Sequence, residues 1–163
     1  MRLIIMRHGE SQNNILGKIS NQAWSEHRTS EPELSAQGVD SCRRIGERLT
    51  QLGIKIDLMI TSAHKRAILS LKNVRDTYAL PQPTCEIMTQ IHEESGVNMA
   101  GQIYPGLSRS QVIELMPDIY IPEDQSEILT EDGWCRLEHE ETDEEIHARA
   151  KLCVLHFKEL AKN

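Results

Sequence analysis

Apolar residues recur along this chain in short runs and helical stripes separated by polar turns, a pattern that predicts alternating strands and helices. Leu3-Ile4-Ile5-Met6 is an apolar run stopped by Arg7-His8-Gly9, which reads as a short buried strand. Asn13 to Pro32 has no period, because Gly17, Asn21, Trp24 and Pro32 interrupt it, and predicts a loop over the strand end. From Ser35, a capping residue, Val39, Cys42, Ile45, Leu49 and Leu52 recur at helical spacing until Gly53 ends the helix. Ile54 to Ile60 returns to a strand-like pattern. Thr61 or Ser62 can then cap a helix running through Ala67, Leu71 and Val74 toward Leu80, with Pro81 and Pro83 as stop signals. Cys85 to Met88 suits another strand, Gly96 to Gly106 a loop, and Ser108 the start of a short helix ending before Pro117. Pro122 to Glu145 is strongly acidic and predicts a solvated surface. In the last helix Ile146, Ala150, Cys153, Phe157 and Leu160 share a face expected to dock on the core.

This alternation predicts an α/β fold, a three-layer sandwich with a mostly parallel sheet and helices on both faces. A length of 163 residues fits a single domain, residues 1–163, with no internal repeat or linker. Only three strands are readable, and a βα series would continue with a strand after the last helix. The domain is therefore expected to be incomplete at its C-terminus, with strands missing there.

Charge and composition narrow the chemistry. With 18 basic and 25 acidic residues the net charge is −7, which argues against nucleic acid or an anionic membrane as partner. One Phe, three Tyr and two Trp give little material for base stacking. No stretch approaches the roughly 20 apolar residues needed to cross a bilayer, and the N-terminus lacks a signal-peptide pattern, so a cytoplasmic protein is expected. Cys42, Cys85, Cys135 and Cys153 are scattered without metal or redox spacing and read as reduced thiols. The seven histidines show no zinc spacing, and His147 and His156 lie nine apart on unlike helix faces. No metal or other cofactor is expected.

Two strand ends carry candidate chemistry. Arg7 and His8 sit at the end of the first, where Gly9 allows a sharp turn and a close backbone approach to a ligand. At the end of the second lies Thr61-Ser62-Ala63-His64-Lys65-Arg66-Ala67. Parallel βα units bring both ends to one side of the sheet, and the helix start there offers free N–H groups to an anion. Arg66, one turn in, adds a planar guanidinium that fits phosphate oxygens. Read alone it is an ordinary exposed helix arginine.

Together these segments resemble the histidine phosphatase superfamily, in particular its phosphoglycerate mutase-like branch. Arg7-His8-Gly9-Glu10-Ser11 followed by Asn14 is similar to that branch's opening signature, and Leu34-Ser35-Ala36-Gln37-Gly38 to its helix start. Ile91-His92-Glu93 followed by Gly96 resembles the segment carrying the family's acid. Pro105-Gly106-Leu107-Ser108-Arg109-Ser110 and Glu131-Asp132-Gly133-Trp134 look like stretches of some members. The resemblance implies that His8 is the nucleophile forming a phosphohistidine, and that Arg7 and Arg66 bind the phosphate. Asn14 and Ser62 would help at the rim. Glu93 would act as proton donor, with Glu94 its adjacent rival. It implies a phosphatase acting on a small phosphorylated substrate, or alternatively phosphoglycerate mutase-type transfer.

One family element has no counterpart. The resemblance calls for a second catalytic histidine after a late apolar strand, yet His139 lies among glutamates and His156 within the last helix. The expectations that follow are a shortened chain, or a second copy or complementing segment covering the exposed sheet edge. A non-catalytic phospho-ligand-binding scaffold is the rival from another class.

Overall fold

The computed structural model describes residues 2–162. Its centre is a parallel pair, β1 (Leu58–Thr61) and β2 (Thr84–Ile87), with Leu58 opposite Thr84 and Thr61 opposite Ile87. Tyr120 extends this sheet on the far side of β2, where its N–H donates to Cys85 O (2.8 Å) and its carbonyl accepts from Ile87 N (3.1 Å). Two helices pack together beside it, α3 (Ala36–Gln51) and α4 (Lys65–Thr77). Their contact is close because Gly46 faces the backbone of α4. A Cβ there would lie 2.1 Å from Val74 O. Ile68, Ile87, Val112 and Leu129 are fully buried, each worth about 1.5–3 kcal/mol relative to exposure.

The α/β class stands, but the described sheet is smaller than the expected sandwich. Leu3 to Met6 form no strand: this stretch lacks regular structure, and Ile5 is 85% exposed. No described strand hydrogen-bonds to it, so it has no ladder to satisfy its backbone groups. The second expected strand begins later, at Leu58, and its helix stops at Thr77. Tyr78 closes that connection, its hydroxyl donating to Ile54 O (2.9 Å) and accepting from Ile56 N (3.0 Å).

Two loops expected from the sequence hold regular structure. Asn13 to Pro32 contains two helices, α1 (Gln12–Ile19) and α2 (Asn21–His27). Ser11 caps the first in a reciprocal box with Asn14, and Ser20 caps the second, replacing the orphan donors' water partners. Gly96 to Gly106 holds a small hairpin of β3 (Asn98–Met99) and β4 (Gln102–Ile103), turning at Ala100 and Gly101, both with positive φ. The short helix after Ser108 is α5 (Arg109–Leu115), as expected.

The acidic tract is not simply a solvated surface. It contains α6 (Glu123–Ser126) and buries Leu129, Trp134 and Cys135 in the core. The final helix α7 (Asp143–Leu160) docks less than its apolar stripe suggested. Of that stripe only Cys153 is buried, while Leu152, Val154 and Leu155 are exposed. All four cysteines are free and buried.

Candidate active site

The turn carrying Arg7 and His8 is fixed from downstream. Gly9 N donates to Ser70 Oγ (2.9 Å), and Ser70 Oγ donates to Arg66 O (2.6 Å). One α4 serine thus ties the histidine turn to the turn of helix that bears Arg66. On the other side, Glu10 O accepts from Ser35 N (2.8 Å) and Glu10 Oε1 from Ser35 Oγ (2.8 Å). The backbones meet so closely that only glycine fits at two positions. A Cβ on Gly9 would stand 2.7 Å from Gly38 O, and one on Gly38 would stand 2.1 Å from Glu10 O.

His8 is half-buried, and its Nδ1 lies 2.7 Å from Gly9 O. A carbonyl can only accept, so Nδ1 carries the proton and Nε2 holds a free lone pair. Burial lowers the His8 pKa, and the charges of Arg66 and Arg7 lower it further against the opposing Gly9 hydrogen bond and Glu93 charge. The imidazole is thereby kept neutral, the form a nucleophile needs.

Arg7, His8, Asn14, Arg66, Glu93 and Glu94 line one cavity of about 440 Å³. Arg66 pairs with Glu93, and the arginine is the buried partner, with 11% of its side chain exposed against 66% for the glutamate. Asn14 Oδ1 accepts from Ser11 N and Ser11 Oγ, both at 3.0 Å. The structure does not bring Ser62 into this set. It is buried and is not among the residues that line the cavity, and neither it nor Thr61 caps α4, whose N-cap is His64 without a side-chain cap bond. The displacement follows from β1 ending at Thr61 and the helix opening at Lys65.

Further residues complete the walls. His64 lines the cavity, and its ring meets Trp134 edge-on at 4.9 Å. His64 Nδ1 lies 3.5 Å from Arg66 and 3.7 Å from Glu31 Oε1, whereas its Nε2 is buried without a hydrogen-bond partner. Trp24 and Arg28 stand at the mouth, the guanidinium 3.7 Å above the indole centre, a cation–π contact. His64 was visible in the sequence beside Arg66 but carried no spacing that separated it from a core histidine. Ser70 lies one turn beyond Arg66, on the same helix face.

Comparison with known proteins places the chain in a family and a fold. The family described as the histidine phosphatase superfamily (branch 1) matches residues 3–163. A 2,3-bisphosphoglycerate-dependent phosphoglycerate mutase of Rhizobium rhizogenes is 33% identical over 79 residues, 48% of this chain and 34% of that protein. The match thus spans about a third of that curated relative. Among solved structures, the ecdysone phosphate phosphatase of the silkworm B. mori, in complex with tungstate, is similar with a TM-score of 0.58 at 15% identity. The likeness covers 94% of this chain and 66% of that one. A candidate alpha-ribazole-5'-P phosphatase from Escherichia coli str. K-12 gives a TM-score of 0.54 at 19% identity, over 94% of this chain and 65% of that one. These structural likenesses establish the fold.

Proposed function

The chain belongs to the histidine phosphatase superfamily (branch 1), and on that premise we propose that it is a phosphomonoester phosphatase acting through His8. Nε2 of His8 attacks phosphorus, forming the N–P bond as the bond to the leaving oxygen breaks, and Glu93 gives its proton to that oxygen. Water then attacks phosphorus, losing its proton to the Glu93 carboxylate, and releases phosphate and neutral His8. Arg7 and Arg66 hold the non-bridging oxygens, where charge must be balanced throughout the transfer. For this, Arg66 exchanges its Glu93 partner for phosphate, which frees the carboxyl to take up a proton. Asn14 stands at the rim with its amide N–H groups available to an oxygen. Ser62 has no part, since it lies outside the cavity lining.

The observation that carries this reading is the Nδ1 bond to Gly9 O, which leaves Nε2 as the nucleophilic atom beside two arginines. Acid-quench trapping with labelled phosphomonoester tests it. Label is expected on wild type and absent from His8→Ala. Equal label on both chains, or none on wild type, refutes the covalent mechanism. Phosphate binding without label is the result a non-catalytic scaffold would give. Arg66→Met is expected to weaken phosphate binding by about tenfold to a hundredfold, the worth of a charged hydrogen bond of about 1.5–3 kcal/mol.

Similarity to a phosphoglycerate mutase over 79 residues favours a second reading, in which the phosphoryl group returns to a sugar-acid phosphate. Product analysis separates them: an isomerised phosphoglycerate supports the mutase, free phosphate the phosphatase.

A further inference from the structure

The loop that bears Glu93 is gripped from behind by α7. Arg149 forms a two-point pair with Glu141, Nε to Oε1 at 2.6 Å and Nη2 to Oε2 at 2.7 Å. Its remaining nitrogen Nη1 donates to Gln90 O (2.9 Å) and His92 O (3.1 Å), on the residues leading into Glu93. Glu141 meanwhile holds the residues that follow. Its Oε2 accepts from Ser95 N (2.9 Å), and its own N–H donates to Ser95 Oγ (3.1 Å). Ser95 has φ +56, a conformation costly for a residue with a side chain and kept only where the surroundings impose it. The short turn is closed by Gly96 N donating to Glu93 O (3.0 Å). Arg149 and Glu141 therefore hold both flanks of an exposed acid that has no rigid element of its own.

The pair is substantially buried, Glu141 at 4% and Arg149 at 17% side-chain exposure. A buried pair of charges is seldom the cheapest way to fill a core. Three of its side-chain hydrogen bonds go to the backbone of Gln90, His92 and Ser95, and a fourth joins the Glu141 N–H to Ser95 Oγ, so its geometry sets the path of residues 90–95.

Resting on the reading of Glu93 as proton donor, we infer that Arg149 and Glu141 are positioning residues that set the aim of the Glu93 carboxyl toward the leaving oxygen. Neither lines the cavity, so their influence passes through the loop they hold. The consequence is selective. An alkyl phosphate, whose alkoxide leaves only with a proton, depends on this aim. Phosphoryl transfer to His8 from a nitrophenyl phosphate, whose leaving group departs without one, does not.

The experiment compares the 163-residue chain with Arg149→Met and with the double variant Glu141→Gln/Arg149→Met, which leaves no lone buried charge. The rate of His8 phosphorylation by an alkyl phosphate and by nitrophenyl phosphate is measured for each in a single turnover by acid quench, with Glu93→Gln as reference. Both variants are expected to slow His8 phosphorylation by the alkyl phosphate about a hundredfold, as misplaced catalytic groups do, while phosphorylation by nitrophenyl phosphate changes by less than about threefold. Equal losses on both substrates, or no loss on either, overturn the inference. If Glu93→Gln shows no preference between the substrates, the assignment of the acid fails instead. Hydrogen exchange gives a readout independent of turnover: the Ser95 amide should exchange at least about tenfold faster in Arg149→Met, and an unchanged rate overturns the clamp.

Discussion

Replacing Gly38 by alanine sets two effects of opposite sign against each other. Alanine in a helix is intrinsically favoured over glycine by up to about 1 kcal/mol, and Gly38 lies in the first turn of α3. Its added Cβ, however, would stand 2.1 Å from Glu10 O, 2.8 Å from Glu10 N and 3.0 Å from Glu10 C. These are backbone atoms, and Glu10 O is already held by Ser35 N at 2.8 Å, so relief requires moving the turn that carries His8. Overpacking of this kind costs about 1–3 kcal/mol and here outweighs the propensity gain. Net of that gain the loss is about 1–2 kcal/mol, and at about 2–4 °C per kcal/mol for a chain of this size, Gly38→Ala should lower Tm by roughly 2–8 °C. Gly17→Ala is the internal control. Its Cβ would meet only Trp24 Cδ1 at 3.7 Å, an ordinary contact, so the propensity term acts alone and Tm should rise by about 2–4 °C. Thermal unfolding followed by circular dichroism reads both. A Tm for Gly38→Ala equal to or above wild type would refute the close approach of α3 to the histidine turn.

Two further outcomes are expected. Burial lowers the pKa of both His8 and His92, so below about pH 6.5 the unfolded chain takes up protons that the folded chain refuses. Stability should thus rise with pH across the window that ends at that ordinary imidazole value, and a His8 NMR titration midpoint at or above 6.5 would contradict the burial argument. Tyr78→Phe strips the partner from two backbone groups, Ile54 O and Ile56 N, and should cost about 1–3 kcal/mol in denaturant unfolding; a loss below about 0.5 kcal/mol would count against both bonds.

Helices α3 and α4 were legible because their buried residues recur every three or four positions, Ile68, Leu71 and Val74 among them. Helices α1 and α2 bury no residue, so no apolar stripe announced them, and only the caps at Ser11 and Ser20 hold their starts. The β3–β4 hairpin was hidden by its turn, where Ala100 rather than a second glycine takes a positive φ. Leu3 to Met6 had the composition of a strand, but composition does not supply the neighbour that a ladder requires. Within the cavity, Arg7, His8, Arg66 and Glu93 could be named from the residues that present them. Ser70 and Arg149 could not, since each acts on backbone 57 to 61 positions away, and such long-range bonds leave no spacing in the sequence.

Of the two tryptophans of the chain, Trp24 lines the cavity and Trp134 is buried against His64, another lining residue, and this gives the protein its own optical reporters. Trp24 is 39% exposed at the mouth under Arg28, whereas Trp134 is 2% exposed between the rings of His64 and His92. A ligand that draws Arg28 away changes the emission of the first. A change in the contact of His92 with Trp134 changes the emission of the second. The two emit from wet and dry surroundings, so a single fluorescence spectrum can separate events at the entrance from events beneath the acid loop.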